Sequence, residues 1–247
     1  MSDIEKAFDI FVKEFGGMVI RELIDSSPPF NNADYLFEKY HVIAELKCME
    51  NDKLGDDKFI EKVSSAYLEA RQRGGTNVVL FGKCRIPSDA FTHEYQERLL
   101  KLYEQPIQNL IKKANKQIRG TKKQLGKDKY DGVLLLINSG NLALDPAHVV
   151  QLLYRIFSRG LYSSIDYTIF LTVNLTAQHP SFSGEQMVWV PLYKRSKGNE
   201  NFDQFEAVFR KAWQRHLEYN LGIQISFQVV DDYAFSLLQN IKKFDNS

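Results

Sequence analysis

The chain has 247 residues, of which 44% are hydrophobic and 26% charged, and its 32 basic side chains nearly balance its 31 acidic ones. Such a composition indicates a globular protein of one or two domains with a substantial core. The longest strongly apolar run, Val133 to Ile137, is far shorter than the roughly 20 residues that cross a bilayer, and the acidic start MSDIEKAF argues against a secretory signal. Two cysteines, Cys48 and Cys84, cannot form a disulfide framework, so we expect a cytoplasmic protein with reduced thiols and no membrane partner.

Hydrophobic periodicity predicts helices alternating with strands, which is typical of an α/β protein. The first elements expected are a helix at 4–15, a strand at 18–24, two strands at 33–38 and 41–48 joined by a tight hairpin, a helix at 57–73 and a buried strand at 77–82. After these we expect a helix at 88–119 that Pro106 could interrupt, a strand at 132–138, a helix at 146–159, strands at 165–173 and 186–192, a helix at 202–219, a strand at 223–230 and a short terminal helix. The least structured segments expected are 120–129 and 194–201.

The predicted hairpin brings two carboxylates and one ammonium together. Alternation along the strand HVIAELKC, at 41–48, places Glu45 and Lys47 side by side on one face. If the chain turns around Lys39 and Tyr40, residues whose numbers sum to 79 face each other, and Asp34 lies opposite Glu45. Hard divalent cations prefer oxygen ligands, and a metal held by two carboxylates can also bind a phosphate oxygen and a water. A lysine beside them can stabilise charge on the phosphate, so the arrangement suits phosphodiester hydrolysis.

This pattern resembles the PD-(D/E)XK nuclease superfamily, which has the restriction-endonuclease-like fold. The resemblance rests on the segments SPPFNNADYLF, at 27–37, and VIAELKC, at 42–48, within a predicted order of helix, three strands, helix and strand. It differs in having Ala33 before the aspartate, with the prolines displaced to 28 and 29. The resemblance implies catalytic roles for Asp34, Glu45 and Lys47, with Mg²⁺ or Mn²⁺ bound by the two carboxylates and by the backbone carbonyl of Leu46.

The resemblance also implies a domain organisation and a partner. A nuclease-like core is expected at residues 1–85, followed by an α/β extension at 86–247 that could continue the same sheet in a single compact domain. The expected substrate is nucleic acid, DNA rather than RNA, in a defence or repair system, with a homodimer or a protein partner also compatible. The alternative is a catalytically inactive nucleic-acid-binding or assembly module on the same fold. Zinc-ligand spacings and serine-hydrolase, P-loop and dinucleotide fingerprints are absent from the sequence.

Two accessory residues are suggested by the family pattern. Members often add an acid from the first helix, for which Glu14 is the choice, with Glu5 on an earlier turn. The helix after the motif often supplies a polar residue, for which Gln72 is the candidate.

A locally basic segment follows in the long helix and the loop after it. Between Lys112 and Lys129 eight basic residues accompany a single acid, Asp128. Such an excess in a nearly neutral chain predicts contact with the phosphates of a nucleic acid, and binding that weakens steeply with salt. The nucleic-acid-binding candidates are Lys112, Lys113, Lys116, Arg119, Lys122, Lys123 and Lys127.

Overall fold

The computed structural model describes residues 3–23, 32–51, 56–72, 92–182, 185–193, 200–222, 225 and 235–243. In these residues the helices are α1 (Asp3–Glu14), α2 (Ile20–Leu23), α3 (Asp57–Gln72), α4 (His93–Gln124), α5 (Pro146–Phe157) and α6 (Glu200–Leu221). The strands are β1 (Met18–Val19), β2 (Tyr35–Phe37), β3 (Val42–Met49), β4 (Asp131–Asn138), β5 (Tyr167–Thr172), β6 (Leu175–Gln178), β7 (Glu185–Gln186), β8 (Trp189–Tyr193) and β9 (Gln239–Lys243). Among the described helices, none is long and apolar enough to span a membrane.

A mixed sheet of six strands forms the centre of the protein, in the order β1-β2-β3-β4-β5-β8. Strands β3, β4 and β5 run parallel to one another, and the other neighbours are antiparallel. Strands β6, β7 and β9 form a second, smaller sheet. The prediction of an α/β protein is therefore confirmed. The large sheet contains strands from both sides of residue 85, since β3 pairs with β4 along its whole length.

Helices cover both faces of the large sheet. The α4 face includes Ile43, Leu134 and Leu136, which pack with the apolar side chains of α4 and α5. The α1 face includes Val42 and Ala44, which pack with phenylalanines of α1 and α6. Because both faces are buried, β3 and β4 are apolar along most of their length, as is usual for parallel strands between layers of helices.

The register of the β2–β3 hairpin is the predicted one. Tyr35 faces Ala44 and Phe37 faces Val42, so the paired numbers sum to 79. The connection is slightly longer than a two-residue turn: a short 3-10 helix at Glu38–Tyr40 leads to His41, whose φ of 52° lies in the left-handed region. Leu36 and its partner Ile43 both point to the α4 face.

Several predicted elements differ from the structure. The strand expected at 18–24 pairs only at Met18 and Val19; the N–H of Ile20 donates to the Asp34 carbonyl at 2.9 Å, and the chain then turns into α2. The long helix continues through Pro106 and runs on to residue 124, so it includes the first half of the segment 120–129 expected to be among the least structured. Ile118 and Thr121 are buried against the protein and hold its last turns in place. The strand expected at 186–192 is divided between β7 and β8, which belong to different sheets. In the region of the expected terminal helix residues 235 and 236 are helical, and the strand β9 follows them and pairs with β6.

Other predicted elements cannot be compared. The strand expected at 77–82 and nearly all of the one expected at 223–230 lie outside the described residues. The strand that pairs in parallel with β3 is β4, at the position predicted for the strand 132–138.

Candidate active site

The structure brings Asp34, Glu45 and Lys47 together at the junction of β2 and β3. Glu45 and Lys47 lie two residues apart on β3 and point to the α4 face. The ammonium of Lys47 donates a hydrogen bond to Oε1 of Glu45. Asp34 directly precedes Tyr35, the first residue of β2, which pairs with Ala44. Continuing this register by one residue places Asp34 opposite Glu45. All three polar groups therefore share one small region of an otherwise apolar sheet.

Asp34 occupies the point where the two strands separate. Tyr35 and Ala44 are the last paired residues of β2 and β3; next to them the N–H of Asp34 donates to the Ala44 carbonyl at 3.2 Å, and Oδ2 of Asp34 accepts a hydrogen bond of 2.8 Å from the N–H of Leu46. The N–H and C=O of one strand residue point to the same edge of the strand, so the carbonyl of Leu46 is directed to the edge at which Asp34 lies. The side chain of Asp34 thus takes the place of a main-chain partner for Leu46. Oxygen atoms from both strands therefore lie close together at this point.

Glu45 is a carboxyl group inside the protein. Its side chain is fully buried, and while both carboxylates are ionised its Oε2 has no hydrogen-bond partner in the part of the chain that the structure describes. Burial, followed by the neighbouring charge of Asp34, raises the pKa of Glu45 well above its ordinary value, although Lys47 acts in the opposite direction. Leaving a buried polar atom unpaired costs free energy comparable to a lost hydrogen bond. The site is therefore built to take either a proton or another positively charged group at Oε2.

The pKa of Asp34 is also raised, and burial is again the main cause. The Leu46 N–H and the charge of Lys47 lower the pKa of Asp34 and only partly offset that effect. The carboxyl groups of Asp34 and Glu45 lie close enough to share one proton. Two carboxyl groups arranged in this way titrate as a pair, in which the first proton to leave makes the second harder to remove.

The oxygen atoms at this junction fit a hard divalent cation. Glu45 offers the unpaired Oε2, Asp34 offers Oδ1, which accepts no hydrogen bond from the described residues, and the Leu46 carbonyl points to the same edge. Such an all-oxygen set suits Mg²⁺ or Mn²⁺ rather than zinc. Within the described ranges, no group of three or more His, Cys, Asp or Glu side chains could hold a metal ion, so the remaining ligands would have to be water or substrate.

Glu14 and Gln72 are not brought to this junction. Oε2 of Glu14 lies 3.0 Å from Nδ1 of His216 on α6, and the glutamate is largely exposed on the α1 face of the sheet. Gln72 is exposed at the end of α3, a helix that packs on α4. The acid of α1 whose charge reaches Asp34 is Glu5, which raises the pKa of Asp34. Helical spacing alone does not reveal which end of α1 lies near the motif, and this is why the sequence does not separate Glu5 from Glu14.

Two side chains of α4, neither predicted from the sequence, anchor the segment that leads to Asp34. The amide of Gln117 donates to the carbonyl of Asn32 at 2.8 Å, and the N–H of Ala33 donates to Oγ1 of Thr121 at 2.8 Å. Gln117 and Thr121 are one helical turn apart, so they meet consecutive residues of the segment. A polar pair beside the apolar face of α4 is the only sequence signal that could have indicated this role.

The predicted basic segment divides into free and paired side chains. Lys122 donates to Asp166 at 3.2 Å, and Lys127 donates to Glu38 at 3.0 Å and lies over the ring of Tyr130. The other five candidates are exposed and make no ion pair with the described residues; they are Lys112, Lys113, Lys116, Arg119 and Lys123.

The exposed cations form a stripe along α4. Lys112, Lys116, Arg119 and Lys123 follow one another at intervals of four, three and four residues, so they share one face of the helix. We call these four residues the α4 stripe. At 1.5 Å per residue the stripe is about 16 Å long. No acidic residue occurs between Gln105 and Lys127, so nothing on this stretch of helix opposes its positive charge.

Comparisons of this chain with protein-family models, with curated proteins and with solved structures found no match. The chemistry of the site must therefore be argued from its own geometry.

Proposed function

We propose that this protein is a metal-dependent nuclease that hydrolyses phosphodiester bonds at the junction of β2 and β3. The observation that carries the proposal is the meeting of Asp34, Glu45 and Lys47, in which Oε2 of the fully buried Glu45 is left without a partner among the described residues while both carboxylates are ionised. Burying an ionisable group without satisfying it is costly, and proteins retain such groups mainly where they have a function.

The order of elements supports the same family as the sequence motif. Helix α1 is followed by the strands β1, β2 and β3, each antiparallel to the next, and the chain then crosses over to β4, which is parallel to β3. This resembles the helix, three strands, helix and strand of the restriction-endonuclease-like core, with β4 as the last strand. The chain after β4 then adds β5 and β8 to the same sheet.

In the proposed mechanism, Asp34, Glu45 and the Leu46 carbonyl would hold the cation. When bound, a divalent ion would polarise the phosphate and lower the pKa of a water molecule. Lys47, 18% exposed beside Glu45, can reach the edge of the site and stabilise negative charge that develops on the phosphate. Glu45 must lose its proton before it can bind a cation, so the site becomes active only as the shared proton leaves.

The α4 stripe supports nucleic acid as the substrate, with DNA preferred as in the sequence-based expectation. Four exposed cations on one helix face can neutralise phosphates along a strand without contacting bases. The same helix anchors the segment before Asp34 through Gln117 and Thr121. The element that would hold the backbone of the substrate is therefore attached directly to the element that carries a catalytic carboxylate.

One observation favours an inactive nucleic-acid-binding module. Lys47 already neutralises Glu45, and the described residues supply only two carboxylates, so the site is stable without a metal. In this second candidate the α4 stripe would bind nucleic acid and the triad would be structural.

Cleavage assays distinguish the two candidates. Plasmid DNA incubated with the full chain and Mg²⁺ or Mn²⁺ should be nicked or degraded, and Asp34→Asn, Glu45→Gln and Lys47→Met should each strongly reduce the rate of cleavage. Glu14→Gln and Gln72→Ala serve as controls and should cleave normally, because neither residue lies at the junction. If DNA is bound without cleavage, and if the three variants bind it as well as the wild type, the nuclease proposal is wrong and the binding module is supported.

A further inference from the structure

A cavity opens beside the candidate active site, at the carboxyl end of β3. It has a volume of about 160 Å³ and lies between the sheet, the start of α3 and the middle of α4. Its wall on β3 begins at Cys48 and Met49, immediately after Lys47. At about 3.3 Å per strand residue, the cavity begins within about 7 Å of the lysine along the strand. A group in the cavity would thus neighbour a phosphate at the junction.

The floor of this cavity is held rigidly. The carbonyl of Met49 accepts hydrogen bonds from the N–H groups of Ser139 and Gly140, at 3.2 and 3.1 Å. A Cβ atom at Gly140 would lie 2.1 Å from the carbonyl oxygen of Glu50, so only glycine allows this close approach. The loop after β4 is therefore held against the end of β3, beside the cavity.

The walls combine an aromatic and apolar surface with polar groups. Phe59 and Tyr103 meet edge to face, with ring centroids 5.0 Å apart, and Ile107 and Leu110 continue the apolar wall along α4. Aromatic and apolar walls of this kind suit an aromatic ring better than a charged group.

The polar groups around the cavity can still take up hydrogen bonds. Oδ1 of Asn141 accepts from the N–H of Ala143 at 3.0 Å, which leaves its NH₂ group as a donor. The hydroxyl of Tyr103 has no hydrogen-bond partner among the described residues, and burial raises its pKa, so it stays protonated. Glu50 and Asn51 add a carboxylate and an amide. Donors and acceptors beside an apolar, aromatic-lined cavity can pair with the edge of a heterocyclic base.

We propose that this cavity binds one unstacked nucleobase of the substrate, next to the phosphate that is cleaved. The proposal rests on the nuclease function proposed above, and it adds that the preferred substrate is single-stranded at the cleavage site. A base inside a duplex cannot enter a pocket unless it is unpaired and unstacked, at a cost of free energy, whereas an unpaired base enters without that cost.

Fluorescence and affinity measurements on the full chain test this proposal. The probe is a short single-stranded oligonucleotide containing 2-aminopurine, and the comparison is a blunt duplex of the same sequence. We expect quenching of 2-aminopurine on binding and tighter binding of the single strand. Tyr103→Leu should weaken single-strand binding roughly 5- to 100-fold, the range expected for loss of one base–aromatic stack, and should leave duplex binding unchanged. Tyr103→Phe, which keeps the ring, should retain most of the affinity, and unchanged duplex binding by Tyr103→Leu shows that its loss of single-strand binding is not due to unfolding.

Matched variants sharpen the test. Tyr219→Leu makes the same replacement at a side chain that is 89% exposed, and should change nothing. Leu110→Trp fills the cavity from α4 and should imitate Tyr103→Leu. If single strand and duplex bind equally, and if Tyr103→Leu and Leu110→Trp affect neither, the cavity is not a base pocket, whether or not the protein cleaves DNA with metal. If the wild type neither binds nor cleaves either nucleic acid, the nuclease proposal itself fails and the base pocket with it.

Discussion

The side chain of Asp34 and the backbone N–H of Leu46 form a hydrogen bond of 2.8 Å in the position where a strand pair would otherwise continue. This bond fixes one carboxylate at the point where β2 leaves β3, directly beside the second carboxylate. A substitution at Asp34 should therefore be chosen to keep the hydrogen bond. Asparagine can still accept from Leu46 through its amide oxygen, whereas alanine would leave that N–H without a partner.

The first prediction concerns divalent metal and stability. A cation that binds only the folded state stabilises it by RT ln(1 + [L]/Kd), about 2.7 kcal/mol at a hundredfold excess over Kd. Mn²⁺ should therefore raise the melting temperature of the wild type, and Asp34→Asn should remove most of the increase. Glu14→Gln, which changes a surface carboxylate paired with His216, should respond to Mn²⁺ as the wild type does. A melting temperature that ignores Mn²⁺ would count against the metal site.

The second prediction concerns pH in the absence of metal. The pKa of Glu45 is raised in the folded protein, so the folded state holds a proton that the unfolded state releases above about pH 4.5. The contribution of this proton to the free energy of unfolding should be fully present at lower pH. It should be lost as the pH rises through the folded pKa, by at most about 1.4 kcal/mol per pH unit for one proton. Asp34, whose pKa is also raised, acts in the same direction. Urea unfolding at a series of pH values measures this slope.

Glu45→Gln should flatten that slope, because glutamine does not titrate. Saturating Mn²⁺ should also offset the loss of stability at high pH in the wild type, since the metal competes with the proton for the same carboxylates. A slope as steep in Glu45→Gln as in the wild type would show that another group carries the pH dependence.

The third prediction concerns Lys47. Lys47→Met removes the charge that faces the phosphate, and single-turnover cleavage should fall by about 10²-fold or more, by analogy with the loss of one preorganised electrostatic group. The fold should survive, because Glu45 can take up a proton when its partner is removed, and the loss of stability should be smaller at low pH than at high pH. Lys13→Met breaks an exposed lysine–glutamate pair and serves as the control, with unchanged cleavage and a stability change of about 0–1 kcal/mol. Wild-type cleavage rates in Lys47→Met would show that the lysine has no catalytic role.

The fourth prediction concerns the α4 stripe. Changing Lys112, Lys116, Arg119 and Lys123 to Gln should weaken DNA binding equally for all sequences. Each lost phosphate contact should also reduce the dependence of log K on log salt by about 0.9 for duplex DNA. The double change of Lys122 and Lys127 to Gln is the control, because these two side chains already pair with Asp166 and Glu38. Equal effects in the two variants would mean that charge in general, and not the stripe, governs binding.

Local pattern was enough to predict some of these features. Alternation along β3 and the position of the hairpin turn predict that the side chains of Asp34, Glu45 and Lys47 lie together. The alternation and the turn each depend on neighbouring residues alone. The α/β class followed from the periodicity of the longer elements in the same way.

Long-range packing determines what the sequence did not reveal. The pairing of β3 with β4 joins segments separated by residues 50–130, and the anchoring of Asn32 and Ala33 by Gln117 and Thr121 joins residues more than 80 positions apart. The division of the basic segment depends on Asp166 and Glu38, which are distant in sequence from Lys122 and Lys127. No local pattern contains these partners. The same reason explains why helical spacing favoured Glu14 when the charge that reaches Asp34 is that of Glu5.

The position of β3 between β2 and β4 also has a consequence for how the protein is made. Until residue 138 has left the ribosome, the strand that carries Glu45 and Lys47 has no partner on one side, and its exposed edge can pair with other chains. A fragment ending at residue 85 would expose the same edge permanently, so it should aggregate instead of giving a minimal enzyme. Because the site is completed by a contact of large sequence separation, it should also form late during refolding, when that contact closes. Any activity of this chain would then appear only after most of it has been synthesised, a delay that would keep unfinished chains inactive.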